Sequence, residues 1–324
     1  MKKAVVILVN GEVLSDKLIS TIDDQREKAH LLAESLLPIL KSDLQVAILH
    51  GNKPQVGYVL YRSELASHVL HSIPLDVCGA DTQGATGYML AQSLHNVLVA
   101  EQHPRSVMSV LTQTIVDAED PLFHKPTKAI GPFFDRDKAE QHRLNRNWEM
   151  LLEPGRGYRR AVSAPTPIEI VEMDGIKQLV QSGTIVVAAG GGGIPVIRTS
   201  NGRLQGVEAV VDTDRVSCMI AQNLQAPVMI MIIERNDKFA LLGLNTELPR
   251  HLTIEKLDAI MERETITSQM VKGKLEAAAR FLHTGGEQMI ITTLRKLPET
   301  LGGKAGLHIG LQRPFVELLA EGVS

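Results

Sequence analysis

Short apolar runs alternate along the chain with longer stretches whose apolar residues recur at every third or fourth position. Residues 4–8 (AVVIL) and 45–49 (QVAIL) are apolar but for Gln45, the pattern of parallel strands buried on both faces. Between them Leu31, Leu32, Ala33, Leu36, Leu37 and Leu40 keep helical spacing, which predicts a β-α-β unit with a crossover helix. The pattern repeats as a helix over 85–100, a strand near 107–114, a strand over 184–189 and a helix over 215–224. A strand over 228–233 follows, then a helix marked by Ile254, Leu257, Ile260 and Met261, a helix over 270–283 and a strand over 289–292. This alternation predicts an α/β fold: an open three-layer αβα sandwich with a mostly parallel sheet, whose ligand sits at the carboxyl ends of the strands.

Residues 118–168 break the rhythm. They hold many prolines, Phe133, Phe134, the single Trp148 and the basic run GRGYRR at 155–160. So long a stretch without strand–helix alternation is a functional loop or a small subdomain, here read as a lid over the site. Three loops are candidates for chemistry. His50, Gly51, Asn52 and Lys53 begin HGNKPQVG at a strand's carboxyl end, where backbone N–H groups can be aimed at an anion or simply start a helix. Thr82, Gln83 and Gly84 lie in a loop at 76–84, where Thr82 and Gly84 can also cap the next helix. Gly190, Gly191, Gly192 and Gly193 follow a strand directly. Four glycines carry a large backbone entropy cost, which points to close approach of backbone to phosphate or sugar.

Composition narrows the function classes. The 324 residues are 44% hydrophobic and 22% charged with a net charge of −3, so one large α/β unit or two lobes is expected. Aromatic residues at 3% and mixed charge argue against nucleic acid. Two cysteines, Cys78 and Cys218, make neither a disulfide framework nor a zinc spacing and fit a reducing cytoplasm. Lys2 and Lys3 precede the first apolar run, but it ends at Asn10-Gly11-Glu12, too short for a signal peptide, so a first buried strand is the reading. No segment reaches the length of a membrane span.

HGNKPQVG, ADTQG, PTKAIGPF, GRGYRR, AGGGGIPV and GVEAVVDTD occur in the order and spacing of the carbamate kinase family, which the chain resembles from about residue 4 to about 310. The resemblance implies the amino-acid-kinase fold, with a substrate lobe over 1–170, a protruding subdomain at about 118–163, and a nucleotide lobe over 171–324. It implies a cytoplasmic homodimer that transfers phosphoryl between ATP and carbamate, with magnesium on the nucleotide, in arginine or purine nitrogen catabolism. Lys128 of PTKAIGPF and Lys274 of GKLEAA match the family's functional lysines. Asn10, Gly11, His50, Gly51, Asn52, Lys53, Thr82, Gln83 and Gly84 fall on its substrate and phosphate loops. Gly190, Gly191, Gly192, Gly193, Asp212 and Asp214 fall on the nucleotide side, with Asp212 a catalytic candidate and one of the two carboxylates able to approach magnesium. A Rossmann dehydrogenase is a poor alternative, since the first strand lacks its glycine turn.

The chain departs from the family at the phosphoryl site. The family's first strand ends in Gly-Gly-Asn, and Val9, Asn10 and Gly11 stand there. Lys53 replaces a glycine, where it supplies a new charge to a phosphate or fills the carbamate pocket. Thr213 replaces the lysine of Ile-Asp-Lys-Asp. The loop Ile233-Glu234-Arg235-Asn236-Asp237-Lys238-Phe239 does not align, and Gln269-Met270-Val271 stands for Gly-Ser-Met. Two readings follow: a kinase, or a relative that binds carbamoyl phosphate or a similar small anion without kinase chemistry. The losses predict ATP synthesis at least ~100-fold slower than in an intact relative, unless Lys53 supplies the missing charge.

Overall fold

The computed structural model describes residues 3–15, 21–103, 105–234, 250–262, 266, 269–311, 315 and 317. In chain order the first half contains β1 (Ala4–Val9), α1 (Gly11–Leu14), α2 (Ile22–Leu40), β2 (Gln45–His50), α3 (Lys53–Leu65), α4 (Leu75–Ala100), β3 (Val107–Val110) and β4 (Gln113–Val116). Next come β5 (Lys128–Phe134), α5 (Arg136–Arg146), β6 (Glu149–Glu153), β7 (Gly157–Val162) and β8 (Pro167–Ile170). The remainder is α6 (Met173–Gln181), β9 (Ile185–Ala188), β10 (Ile194–Arg198), β11 (Leu204–Gly206), α7 (Thr213–Asn223), β12 (Val228–Ile233), β13 (His251–Leu252), α8 (Ile254–Glu262), α9 (Gln269–His283), β14 (Gln288–Thr293), α10 (Leu297–Leu301) and β15 (Leu307–Gly310).

The apolar runs form one eight-stranded sheet in the order β13-β15-β14-β12-β1-β2-β9-β3. Its ladders are parallel except β14 with β15. Alternation along each strand supplies both faces. Ala4, Val6 and Leu8 of β1 join Met229 and Met231 in a core with α6, α7 and α9. Val5, Ile7 and Val9 join Ile230 and Ile232 in a second core with α2 and α4. Helices therefore cover both faces, giving the three-layer αβα sandwich. β9, from the second half of the sequence, pairs with β2 and β3 of the first. Among the described residues no helix is long and apolar enough to cross a membrane.

One expectation changes. The stretch 76–84 is not a loop. It lies inside α4, which begins at Leu75, so Thr82 and Gly84 cap nothing. Buried Leu75, Cys78, Thr82, Thr86, Met89 and Leu90 follow helical spacing, but the polar members and glycines hide that stripe from a hydrophobicity reading. The stretch 118–168 does contain regular structure. β5, β7 and β6 form an antiparallel sheet that α5 covers through Phe134, Ala139, Trp148 and Met150. The basic run holds this subdomain together and to α3: Arg159 pairs with Glu153 at 3.2 Å and Arg156 stacks on Phe133 within it, while Arg160 pairs with Glu64 of α3 at 3.1 Å.

The subdomain is seated on α3 at a glycine pair. A Cβ at Gly57 would lie 1.9 Å from the Gly131 nitrogen, so only bare backbone permits the contact. Gly57→Ala is expected to destabilise the protein by about 1–3 kcal/mol through overpacking. Thermal unfolding reads this directly, and an unchanged Tm would show that α3 and β5 do not meet so closely.

Candidate active site

β1 and β2 end side by side, and their last residues turn into α1 and α3. The turns touch backbone to backbone, since a Cβ on Gly51 would sit 2.6 Å from the Gly11 nitrogen. At this carboxyl edge lies a cavity of about 550 Å³, walled by Asn10, Lys53, Lys128, Asp212, Asp214 and Lys274 among others. A small recess of about 30 Å³ adjoins it, reached by Gly51, Asn52, Gly191 and Thr213 as well. The volume is that of an ordinary small-ligand site.

Two ion pairs build the wall. Asp212 is the N-cap of α7: its Oδ1 accepts from the N–H groups of Asp214 and Arg215 at 3.1 and 3.2 Å. Its Oδ2 accepts from Lys128 Nζ at 2.5 Å. Burial pushes the Asp212 carboxyl up, but the Lys128 charge and hydrogen bond, the Lys53 charge and the Arg215 N–H outweigh it and hold the pKa at about 2. Lys274, buried on α9, donates to both oxygens of Asp214 at 2.6 and 2.8 Å. Lys53, the first residue of α3, faces the same space. Among the described residues no carboxylate lies within ion-pairing distance of it. Its side chain is exposed to the open cavity, yet the protein gathered around that cavity, then the Lys128 and Lys274 charges, lower its pKa against the opposing pull of Asp214 and Asp212.

Other sequence candidates stand behind the wall and hold it. Asn52 Nδ2 donates to Thr82 Oγ1 at 2.7 Å, and that hydroxyl donates to the Gly79 carbonyl. Gln83 grips Thr112 twice, Nε2 to the carbonyl and Oε1 from the N–H. Thr112 Oγ1 in turn accepts from the Ala189 N–H at 2.9 Å, which fixes a left-handed residue (φ 48°) just before the glycine run. His50 is buried, and burial lowers its pKa to about 4 despite a bond to the Gly51 carbonyl, so it is neutral near pH 7. Gly84 faces away from the cavity, with open space where a Cβ would be.

The glycine run has a packing reason. Added Cβ atoms would meet His50 at Gly190, Asn52 at Gly191, Val211 at Gly192 and Thr114 at Gly193, all within 2.8 Å. Of the four, Gly191 reaches the recess. At the end of β1 the Asn10 N–H donates to the Ile232 carbonyl at 2.8 Å, and Val9 is fully buried in the sheet. That amide is spent on the ladder rather than offered to a ligand. The loop residues Arg235, Asn236, Asp237, Lys238 and Phe239 lie outside the described residues, as do the side chains of Gln269 and Met270.

Four charged lining residues were missed from sequence: Glu12, Arg215, Glu276 and Arg280. For Arg280 a signal existed. Gly273, Lys274, Ala277 and Arg280 recur at helical spacing, so a face containing Lys274 also presents Arg280. Among the described residues no group of three or more His, Cys, Asp or Glu is placed to hold a metal.

The amino acid kinase family model matches residues 3–293. The carbamate kinase of Pyrococcus horikoshii is 37% identical over 314 residues, covering 95% of this chain and 99% of that protein. The carbamate kinase-like protein YahI of Escherichia coli is 37% identical over 325 residues, with the same coverage. Among solved structures, carbamate kinase from Giardia lamblia bound to citric acid superposes with a TM-score of 0.86 at 31% identity, covering 95% of this chain and 98% of that one. The same enzyme bound to AMP-PNP gives 0.82.

The Asp212 pair sets an acid limit. Its folded pKa lies below the ordinary 3.8, so its contribution is present above pH 3.8 and is lost as pH falls toward 2. Asp212→Asn is expected to lower stability at neutral pH by about 1–3 kcal/mol and to flatten the loss of stability between pH 4 and pH 2. Urea unfolding across that range checks both, and an unaltered acid profile would mean that the pair contributes nothing.

Proposed function

We propose, from the premise that this chain belongs to the amino acid kinase family and aligns end to end with carbamate kinases, that it transfers a phosphoryl group between carbamoyl phosphate and ADP. The observation that carries this is the convergence of three lysine ammonium groups on one cavity at the carboxyl ends of β1 and β2. Phosphoryl transfer asks little covalent chemistry of a protein. It asks for aligned donor and acceptor and for positive charge around the moving group. In the direction of ATP formation the P–O bond to the carbamoyl oxygen breaks and carbamate leaves with the electron pair. An oxygen of the ADP β-phosphate makes the new P–O bond.

Each residue has a part. Lys128, carried by the subdomain sheet, reaches the cavity from the substrate side, held in place by Asp212. Lys274 reaches it from α9, held by Asp214. Asp212 and Asp214 are hard oxygen donors that suit magnesium, which takes one or two carboxylates and completes its shell with water and phosphate oxygens. Bound there with the nucleotide, magnesium would neutralise phosphate charge.

A second reading is a protein that binds carbamoyl phosphate without rapid transfer. The sheet-bound amide of Asn10 favours it, because backbone donors at that turn are fewer. One experiment separates the two. The wild type, given carbamoyl phosphate and Mg-ADP, is expected to form ATP at roughly 1–100 per second, an ordinary kinase rate. Lys128→Ala is expected to lower kcat by about 10²–10³. Carbamoyl phosphate binding by calorimetry without ATP formation would establish the second reading, and no binding would remove both.

A further inference from the structure

We propose that Lys53 is the group that binds the phosphoryl oxygens of carbamoyl phosphate, delivering from the start of α3 the charge that Thr213 does not deliver from the start of α7. This rests on the proposed phosphotransferase reading and adds to it the residue that holds the moving group.

Lys53 and Thr213 are each the first residue of a helix, directly after an N-cap, Asn52 and Asp212. Both reach the same recess, with Lys128 and Lys274 beside them. A lysine from either helix start therefore serves the same space. Lys128 and Lys274 are each already neutralised by an aspartate. Lys53 has no carboxylate at ion-pair distance among the described residues, and its side chain, exposed to the open cavity, faces the Lys128 and Lys274 ammonium groups across the recess. Positive charge gathered in this way in a concave site attracts an anion. One phosphoryl group supplies that anion and makes charge-assisted hydrogen bonds to the ammonium.

The lowered pKa agrees with this geometry. Because the folded pKa lies below the ordinary lysine value, charged Lys53 opposes folding of the ligand-free protein, and the cost fades as pH rises through that pKa. Lys53→Met keeps the aliphatic stem and removes the charge. It is thus expected to leave Tm unchanged or raised, which a lysine with a merely structural role would not do.

The test is calorimetry on the whole chain with inorganic phosphate, carbamoyl phosphate and Mg-ADP, each alone. Lys53→Met is expected to weaken phosphate and carbamoyl phosphate binding by about thirtyfold or more, with Mg-ADP within about twofold of wild type. Adding Thr213→Lys to Lys53→Met is expected to recover at least about tenfold of the lost affinity. Three results overturn the proposal: wild-type phosphate affinity in Lys53→Met, a fall in Tm with binding intact, or no recovery in the double variant. Wild type that binds neither carbamoyl phosphate nor phosphate would overturn the proposed function itself, which separates the two failures.

Discussion

In the recess two carboxylates face three ammonium groups and leave one positive charge unanswered, and the site is arranged around that imbalance. Asp212 ties the subdomain to the sheet by capping α7 with one oxygen and gripping Lys128 with the other. Asp214, two residues on, fixes α9 through Lys274. Without these pairs buried Lys274 and half-buried Lys128 would repel each other and Lys53, and α7, α9 and β5 would have no electrostatic reason to converge. With them the remaining charge is concentrated on Lys53, which lines the recess of about 30 Å³.

The core places this cluster and the polar relay holds it. Parallel strands buried on both faces end at one edge, and that edge is where turns are free to present side chains. Glycine contacts then bring separate segments to van der Waals distance: Gly11 on Gly51, Gly57 on Gly131, and the 190–193 run on His50, Asn52 and Thr114. Thr82 and Gln83 complete the assembly by hydrogen bonds from α4 to Asn52 and Thr112. The family pattern at these positions is therefore partly a pattern of support for the wall and partly the wall itself.

The sandwich was legible because strands buried on both faces read as unbroken apolar runs, as residues 4–8 and 228–233 show. The start of α4 was not, because its buried face uses Thr82, Gln83 and Thr86 beside Gly79, Gly84 and Gly87, residues that ordinarily signal a turn. The subdomain sheet was hidden by prolines and by a mixed aromatic and basic composition. At the site, Lys128, Lys274, Asp212 and Asp214 were legible from motif order. Their pairing was not, since it depends on distances of 60 and 84 residues along the chain closing to hydrogen bonds. Lys53 stood out as a departure, but the choice between a phosphate-facing and a carbamate-filling role required its position relative to Thr213.

The most direct measurement follows the Lys53 ammonium itself. NMR of protein carrying ¹³Cε-lysine, with the Lys53 signal assigned by its loss in Lys53→Met, gives its pKa with and without saturating phosphate. The account predicts a pKa below the ordinary lysine value in the free protein and a clear rise when phosphate binds, because a bound anion favours the charged form. A Lys53 pKa that phosphate does not move would contradict it.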